Sequence, residues 1–142
     1  MQKLFKIFVK RFLNLLLILI FSPSAVALEV YFERTSKLLD VEVANSDVKR
    51  RQGLMYRNKL AANQGMLFLW PESDKKCMWM KNTPLPLSVA YLSNDLIIQE
   101  IYDMAPFSED SVCSQMNTRI ALEVHAGWFN KNEITVGDKI DF

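Results

Sequence analysis

Apolar and polar side chains alternate in short segments along most of the chain. Within 38–43 the apolar residues fall on every second position, which is the period of a half-buried β-strand. Similar patterns, or short apolar runs bounded by turn residues, predict further strands at 30–32, 65–70, 77–80, 87–92, 96–102, 119–124 and 139–142. Polar turns are expected at 71–74 and 93–95, and an irregular connection at 103–117. This pattern predicts an all-β fold class, a mainly antiparallel sandwich or barrel-like sheet.

Two short helices complete the predicted fold. The polar triplet 45–47 (Asn-Ser-Asp) offers side-chain oxygens to the free amides of a first turn, which is typical of a helix start. A helix over 48–52 should then end at Gly53, because glycine adopts the left-handed conformation that stops helices. One further helical turn is expected within 126–131.

Residues 1–27 have the composition of a secretory signal peptide. A start with four cations and no acid precedes the apolar run 12–21, and Ser-Pro-Ser at 22–24 and Ala-Val-Ala at 25–27 follow. About ten apolar residues fall short of the ~20 that cross a bilayer. We therefore expect cleavage after Ala27 and export, most simply to the periplasm, of a single domain over 28–142. An uncleaved signal that anchors this domain is the alternative.

The charge balance argues against nucleic acid as a partner. Four of the 17 Lys and Arg residues lie in the N-terminal segment, which leaves 13 against 16 acidic residues and a net charge near −3. Binding to nucleic acid needs several cations on one face, and no basic cluster is present in the sequence. Contact with a membrane is expected only through the signal segment.

The two cysteines are expected to form a disulfide if the domain is exported. Cys77 and Cys113 are 36 positions apart and form no Cys-x-x-Cys motif. Closing a loop of that length would stabilise the domain by about 3–4 kcal/mol on the chain-entropy model. A pair of free buried thiols is the alternative.

An ordered set of short motifs resembles the bacterial and archaeal "domain of unknown function 192" family. The motifs are VEVA at 41–44, GLMYR at 53–57, GMLF at 65–68, WMKNT at 79–83, PL at 86–87, LE at 122–123, AGW at 126–128 and VGD at 136–138. The resemblance covers roughly 38–142 and implies a compact, mainly β domain that is often exported. It implies no reaction and no catalytic residues. Many members carry an acid after the Pro-Leu pair, where this chain has Ser88.

The strongest candidate site joins a lysine, an amide and a hydroxyl at the end of an apolar strand. Lys81, Asn82 and Thr83 precede a proline there, and Arg57 in another polar segment could add a two-pronged contact. One cation with neutral donors suits an anionic or carbonyl-bearing ligand. The alternative is structural, with the amide and hydroxyl bonded to the turn backbone.

Three further functional hypotheses each have an ordinary structural alternative. Soft thioethers could hold monovalent copper, although methionine is also an ordinary core residue; those considered are Met55, Met66, Met78, Met80, Met104 and Met116. His125 could act as a base oriented by Glu123, with Ser111 or Ser114 as nucleophile, but no nucleophile motif is present. Exposed tryptophans would suggest sugar stacking, whereas core burial is expected for Trp79 and Trp128.

The sequence thus predicts an exported β domain that binds a small ligand or an envelope protein without catalysis, at Arg57 and Lys81–Thr83. The alternatives are an enzyme of unassigned class at the same residues, a purely structural accessory protein, and a methionine-rich copper binder. No cofactor and no metal-ligating residue are predicted, and the oligomeric state is left open.

Overall fold

A curled seven-stranded sheet forms the body of the domain in the computed structural model, which describes residues 27–142. The predicted signal segment 1–26 lies outside the described residues. The sheet strands are β1 (Leu28–Phe32), β2 (Lys37–Ala44), β3 (Gln64–Asp74), β5 (Leu87–Leu92), β6 (Ile98–Met104), β8 (Thr118–His125) and β9 (Ile140–Asp141). Their order across the sheet is β6-β5-β8-β3-β2-β1-β9. The predicted all-β class is confirmed, and no helix in 27–142 is long and apolar enough to span a membrane.

One pair of neighbours is parallel and the others are antiparallel. The chain leaves β2, forms the short helix α1 (Asp47–Gln52), and returns as β3 parallel to β2. Ser46 accepts from the Lys49 amide at 3.3 Å, and Gly53 ends the helix at φ 48° with its N–H donating to the Lys49 carbonyl. The predicted helix start and stop are therefore confirmed.

A two-stranded ribbon lies against one face of the sheet. It consists of β4 (Cys77–Met78) and β7 (Val112–Cys113), which pair antiparallel with the two cysteines opposite one another. Their Sγ atoms are 2.06 Å apart, so the expected disulfide is present. The buried Tyr91 hydroxyl of β5 donates to the Val112 carbonyl at 2.6 Å, which fastens the ribbon to the sheet.

Both faces of the sheet are covered by apolar side chains. One face packs against the turn α2 (Trp128–Lys131), with Trp128 and Phe129 buried. The other face, the ribbon face, packs beneath α1 and the ribbon; its buried side chains include Leu54, Phe68, Met78, Met80, Leu87 and Tyr91. Alternation along β8 sends Leu122 and Val124 to the α2 face and leaves Ala121 and Glu123 on the ribbon face.

Three local expectations differ from the structure. β3 continues to Asp74 instead of turning at 71–74, and a break in its register between Leu69 and Asp74 accommodates Pro71. The predicted strand 77–80 pairs only over Cys77–Met78. The connection 103–117 contains β7, whose pairing with β4 joins residues 36 positions apart.

Candidate functional site

The ribbon face holds a cavity of about 290 Å³ between the sheet, α1 and the ribbon. Its apolar walls come from the sheet and the ribbon side: Phe68 and Trp70 of β3, Leu87 of β5, and Met78 and Met80 beneath the ribbon. Met55, which follows α1, also lines it. A space of this size is at the lower end of the range for small-molecule sites, which is about 300–1,000 Å³.

A single carboxyl group, that of Glu123, lies at the sheet side of the cavity. Glu123 lies in the middle of the sheet, opposite Met66 of β3 and Val89 of β5, and is only 4% exposed. Burial raises the pKa of Glu123 to about 8, and no hydrogen bond or cation among the described residues offsets this rise. The group is therefore largely protonated at neutral pH and offers one O–H donor and a carbonyl acceptor.

The α1 side of the cavity carries charged groups. Arg50 donates from Nη1 to the Leu69 carbonyl at 2.6 Å and also pairs with Asp47 one turn earlier, so it bridges the helix to β3. Arg51 lines the cavity and is exposed, and within 27–142 it has no ion-pair partner. On this side of the cavity, Arg50 is therefore held in place by its bonds, whereas Arg51 is exposed to solvent.

Two tryptophans at the cavity edge lie beneath lysine ammonium groups. Lys76 Nζ is 5.6 Å from the Trp70 ring centroid, and Lys81 Nζ is 5.1 Å from that of Trp79. The expectation that Trp79 is buried is wrong, because the residue is 45% exposed. Its neighbours Met78 and Met80 turn towards the sheet, so alternation turns the indole between them outwards.

The structure separates Arg57 from the other three residues predicted to form one site. Thr83 is buried, lines the cavity and donates from Oγ1 to the Lys81 carbonyl at 3.1 Å. Asn82 adopts φ 54° and donates from Nδ2 to the Tyr56 hydroxyl at 2.8 Å, while its carbonyl accepts from the Tyr56 amide. Lys81 is 3.6 Å from Glu109. The segment 81–83 therefore adjoins the cavity.

Arg57 lies in a different depression, beside α1 and β2. Both of its terminal nitrogens bond the two carboxylate oxygens of Glu42 in a two-pronged ion pair. These hydrogen bonds from Arg57 lower the pKa of Glu42. The structure does not bring Arg57 together with 81–83 at one cavity.

His125 stands apart from the cavity as well. Its Nε2 bonds the Leu60 carbonyl at 2.6 Å, and its ring lies by a shallow depression next to Leu85. The proposed nucleophile Ser114 is buried and accepts from the Lys76 amide at 3.0 Å. Among the described residues, no serine is hydrogen-bonded to His125, so the geometry does not support a serine–histidine pair.

Glu123 is the site residue that sequence reasoning missed. The sequence suggests only a role as a partner of His125, yet within 27–142 Glu123 is the one buried carboxyl group that lines the cavity. A usable signal was present: 120–124 is an otherwise apolar strand with one acid in the middle. Such an acid is expensive to bury unless it has a partner or a function.

Comparison with known proteins places this small β domain in a family. The DUF192 family model, described as "Uncharacterized ACR", matches residues 30–142. The chain belongs to this family, which confirms the resemblance seen in the sequence motifs. No curated protein matches the chain.

Two solved structures share the fold. One, from Sinorhizobium meliloti 1021, is provisionally described as a transcription regulator; it is 34% identical, with a TM-score of 0.78, and the match covers 83% of this chain and 95% of that one. The other is a protein of unknown function from Novosphingobium aromaticivorans DSM 12444. It is 26% identical with a TM-score of 0.78, covering 82% and 85% of the two chains.

Ser88, where the family resemblance led us to expect an acid, does not line the cavity. Its hydroxyl donates to Asp103 at 2.5 Å and accepts from the Gly127 amide at 3.0 Å. The neighbours Leu87 and Val89 are the residues of β5 that face the ribbon. Residue 88 therefore contributes no group to the cavity lining.

Proposed function

We propose that this protein is an exported, non-catalytic ligand-binding module of the cell envelope, and that its ligand occupies the cavity beside Glu123. One observation carries the proposal: a buried carboxyl group faces an open cavity and has no protein partner in 27–142. A core selected only for stability would favour an apolar residue there, because burying an unpaired polar group costs free energy.

The position of Glu123 on the sheet favours a binding role over a purely structural one. Glu123 lies on a central strand between buried apolar neighbours, Leu122 and Val124, and pairs with β3 on one side and β5 on the other. Sites on rigid strands keep a polar group in one position, which is the basis of specificity in small pockets. Under this proposal Thr83 and Lys81 belong to the ribbon side of the site, and Asn82 sets the turn that carries them.

Export is supported by two independent features. The disulfide between Cys77 and Cys113 fits an oxidising compartment, and residues 1–27 have the order of a signal peptide. Residues 28–142 carry a net charge near −3, 13 basic against 16 acidic side chains, which does not favour DNA as the partner.

A thermal-shift screen tests the proposal. Oxidised protein would be melted with envelope metabolites, glycans and cell-wall fragments, compound by compound. A ligand at a hundred times its Kd stabilises by about 2.7 kcal/mol, a readable rise for a domain of this size. We expect the rise to shrink in Glu123→Leu and to persist in Glu29→Gln, a control on the exposed face of β1. A rise that survives Glu123→Leu undiminished would contradict the assigned site.

An acid–base enzyme is the second candidate, favoured by the same carboxyl group. Burial holds the pKa of Glu123 at about 8, near the range in which a group can both give and take protons. The two candidates differ in what happens to the ligand. Mass spectrometry of each stabilising compound after overnight incubation would show it unchanged under the binding proposal and converted under the enzymatic one.

A further inference from the structure

We propose that the cavity recognises small organic acids, with the ligand carboxylate bonded to the Glu123 carboxyl group and a flat apolar body packed between Phe68, Trp70 and the methionines. This inference rests on the proposed function and specifies the class of ligand. It follows from the walls of the cavity, the charge at its edge and the chemistry of its buried carboxyl group.

The size and walls of the cavity select the body of the ligand. A space of about 290 Å³ suits a small molecule of one or two rings. The rings of Phe68 and Trp70 stack with centroids 6.0 Å apart and planes 20° apart, so the β3 wall of the cavity is aromatic. Thioethers opposite them adapt to varied apolar shapes.

The edge of the cavity carries an excess of positive charge. Two cations are balanced, Arg50 by Asp47 and Lys81 by Glu109. Arg51 lines the cavity and Lys76 covers Trp70, and neither has an ion-pair partner within 27–142. An edge of this kind attracts anions and repels ligand ammonium groups.

The buried group completes the selection. In its neutral form the Glu123 carboxyl group donates one O–H, and a ligand carboxylate is a strong acceptor for such a donor. A bond of this type leaves one negative charge for two carboxyl groups, and Arg51 and Lys76 are the cations at the cavity that could offset it. An ammonium ligand would instead require the Glu123 carboxylate, which burial disfavours.

Three probes that share a phenylpropyl group but differ in their polar end distinguish anionic, neutral and cationic ligands. Titration calorimetry at pH 6.5 would compare 3-phenylpropionate, 3-phenylpropan-1-ol and 3-phenylpropylamine against the oxidised protein. We expect the carboxylate to bind at least tenfold more tightly than the amine, with the alcohol between them. Tighter binding of the amine or of the alcohol, or no binding of the carboxylate at millimolar concentration, would overturn the inference.

Two substitutions at one position give the matched control. Glu123→Gln keeps a hydrogen-bond donor and should retain the affinity for 3-phenylpropionate within a few fold, whereas Glu123→Leu should lose tenfold or more. Both remove a buried acid, so both should fold. Equal loss in the two variants, or none in either, would overturn the inference. If the metabolite screen yields an uncharged or cationic ligand that requires Glu123, the proposed function stands and only the organic-acid inference fails.

Discussion

Replacing Glu123 by glutamine should stabilise the unliganded protein, and the gain should grow with pH. Burial raises the pKa of Glu123 from 4.5 to about 8, so the folded state holds this proton more tightly than the unfolded state does. The contribution of the group to stability is therefore fully present below about pH 4.5. It is lost progressively as the pH rises through about 8.

The magnitude follows from the size of the pKa shift. One pKa unit corresponds to about 1.4 kcal/mol, so the free energy of unfolding should fall by about 4 kcal/mol between pH 5 and pH 8 through Glu123 alone. That is a large part of the ~5–15 kcal/mol by which domains are stable. The side chain in Glu123→Gln does not titrate, and the variant should lose this slope.

Urea denaturation at pH 5, 6, 7 and 8, followed by tryptophan fluorescence, measures the effect. Subtracting the free energy of unfolding of the wild type from that of Glu123→Gln at each pH cancels the contributions of the other titrating groups. Hydrogen bonds from Arg57 and Arg34 lower the pKa of Glu42 and Asp138, and their contributions are lost only below about pH 4. We expect the variant to be about 3–4 kcal/mol more stable at pH 8 and nearly equal to the wild type at pH 5. Parallel curves would refute a buried, unpartnered Glu123.

Three further substitutions test the scaffold around the cavity. The double variant Cys77→Ser, Cys113→Ser should lose about 3–4 kcal/mol by thermal or urea denaturation, because the 36-residue loop is no longer closed; an unchanged midpoint would show that the disulfide is absent from the purified protein. Gly65→Ala should cost about 1–3 kcal/mol by urea denaturation, because its Cβ would lie 2.5 Å from the Glu123 carbonyl; an unperturbed variant would contradict the close approach of β3 and β8. Asn82→Ala should melt lower than Asn82→Gly by an amount equivalent to about 1 kcal/mol, since residue 82 adopts φ 54°; the reverse order would contradict the left-handed turn.

The fold was largely predictable because its signals are local. Alternation within 38–43 and 119–124, together with the start and stop of α1, depends on neighbouring residues, and these elements lie where they were predicted. The β4–β7 pairing joins distant residues, and β3 returns parallel to β2 only because α1 makes the crossing. Neither of these two strand pairings can be predicted from the sequence of one segment alone.

The candidate site was only partly predictable for the same reason. Alternation puts Glu123 and Leu122 on opposite faces of β8, but it does not say which faces are covered. The ribbon and α1 make the face of Glu123 an interior one, and the inward Met78 and Met80 leave Trp79 between them exposed. The residues at 81–83 were found because they end a strand, and Arg57 was grouped with them although Glu42 holds it elsewhere.

The central claim is that the cavity beside Glu123 is a ligand site, and the methionines of the chain can report on it directly. Met55, Met78 and Met80 line the cavity, whereas the exposed Met116 does not. Protein labelled with ¹³C in the methionine methyl groups would be titrated with the metabolite panel, and resonances assigned by Met→Leu substitution. The account predicts that a stabilising compound shifts the three cavity resonances and leaves that of Met116 in place. Stabilisation that leaves all three cavity resonances unmoved would contradict it.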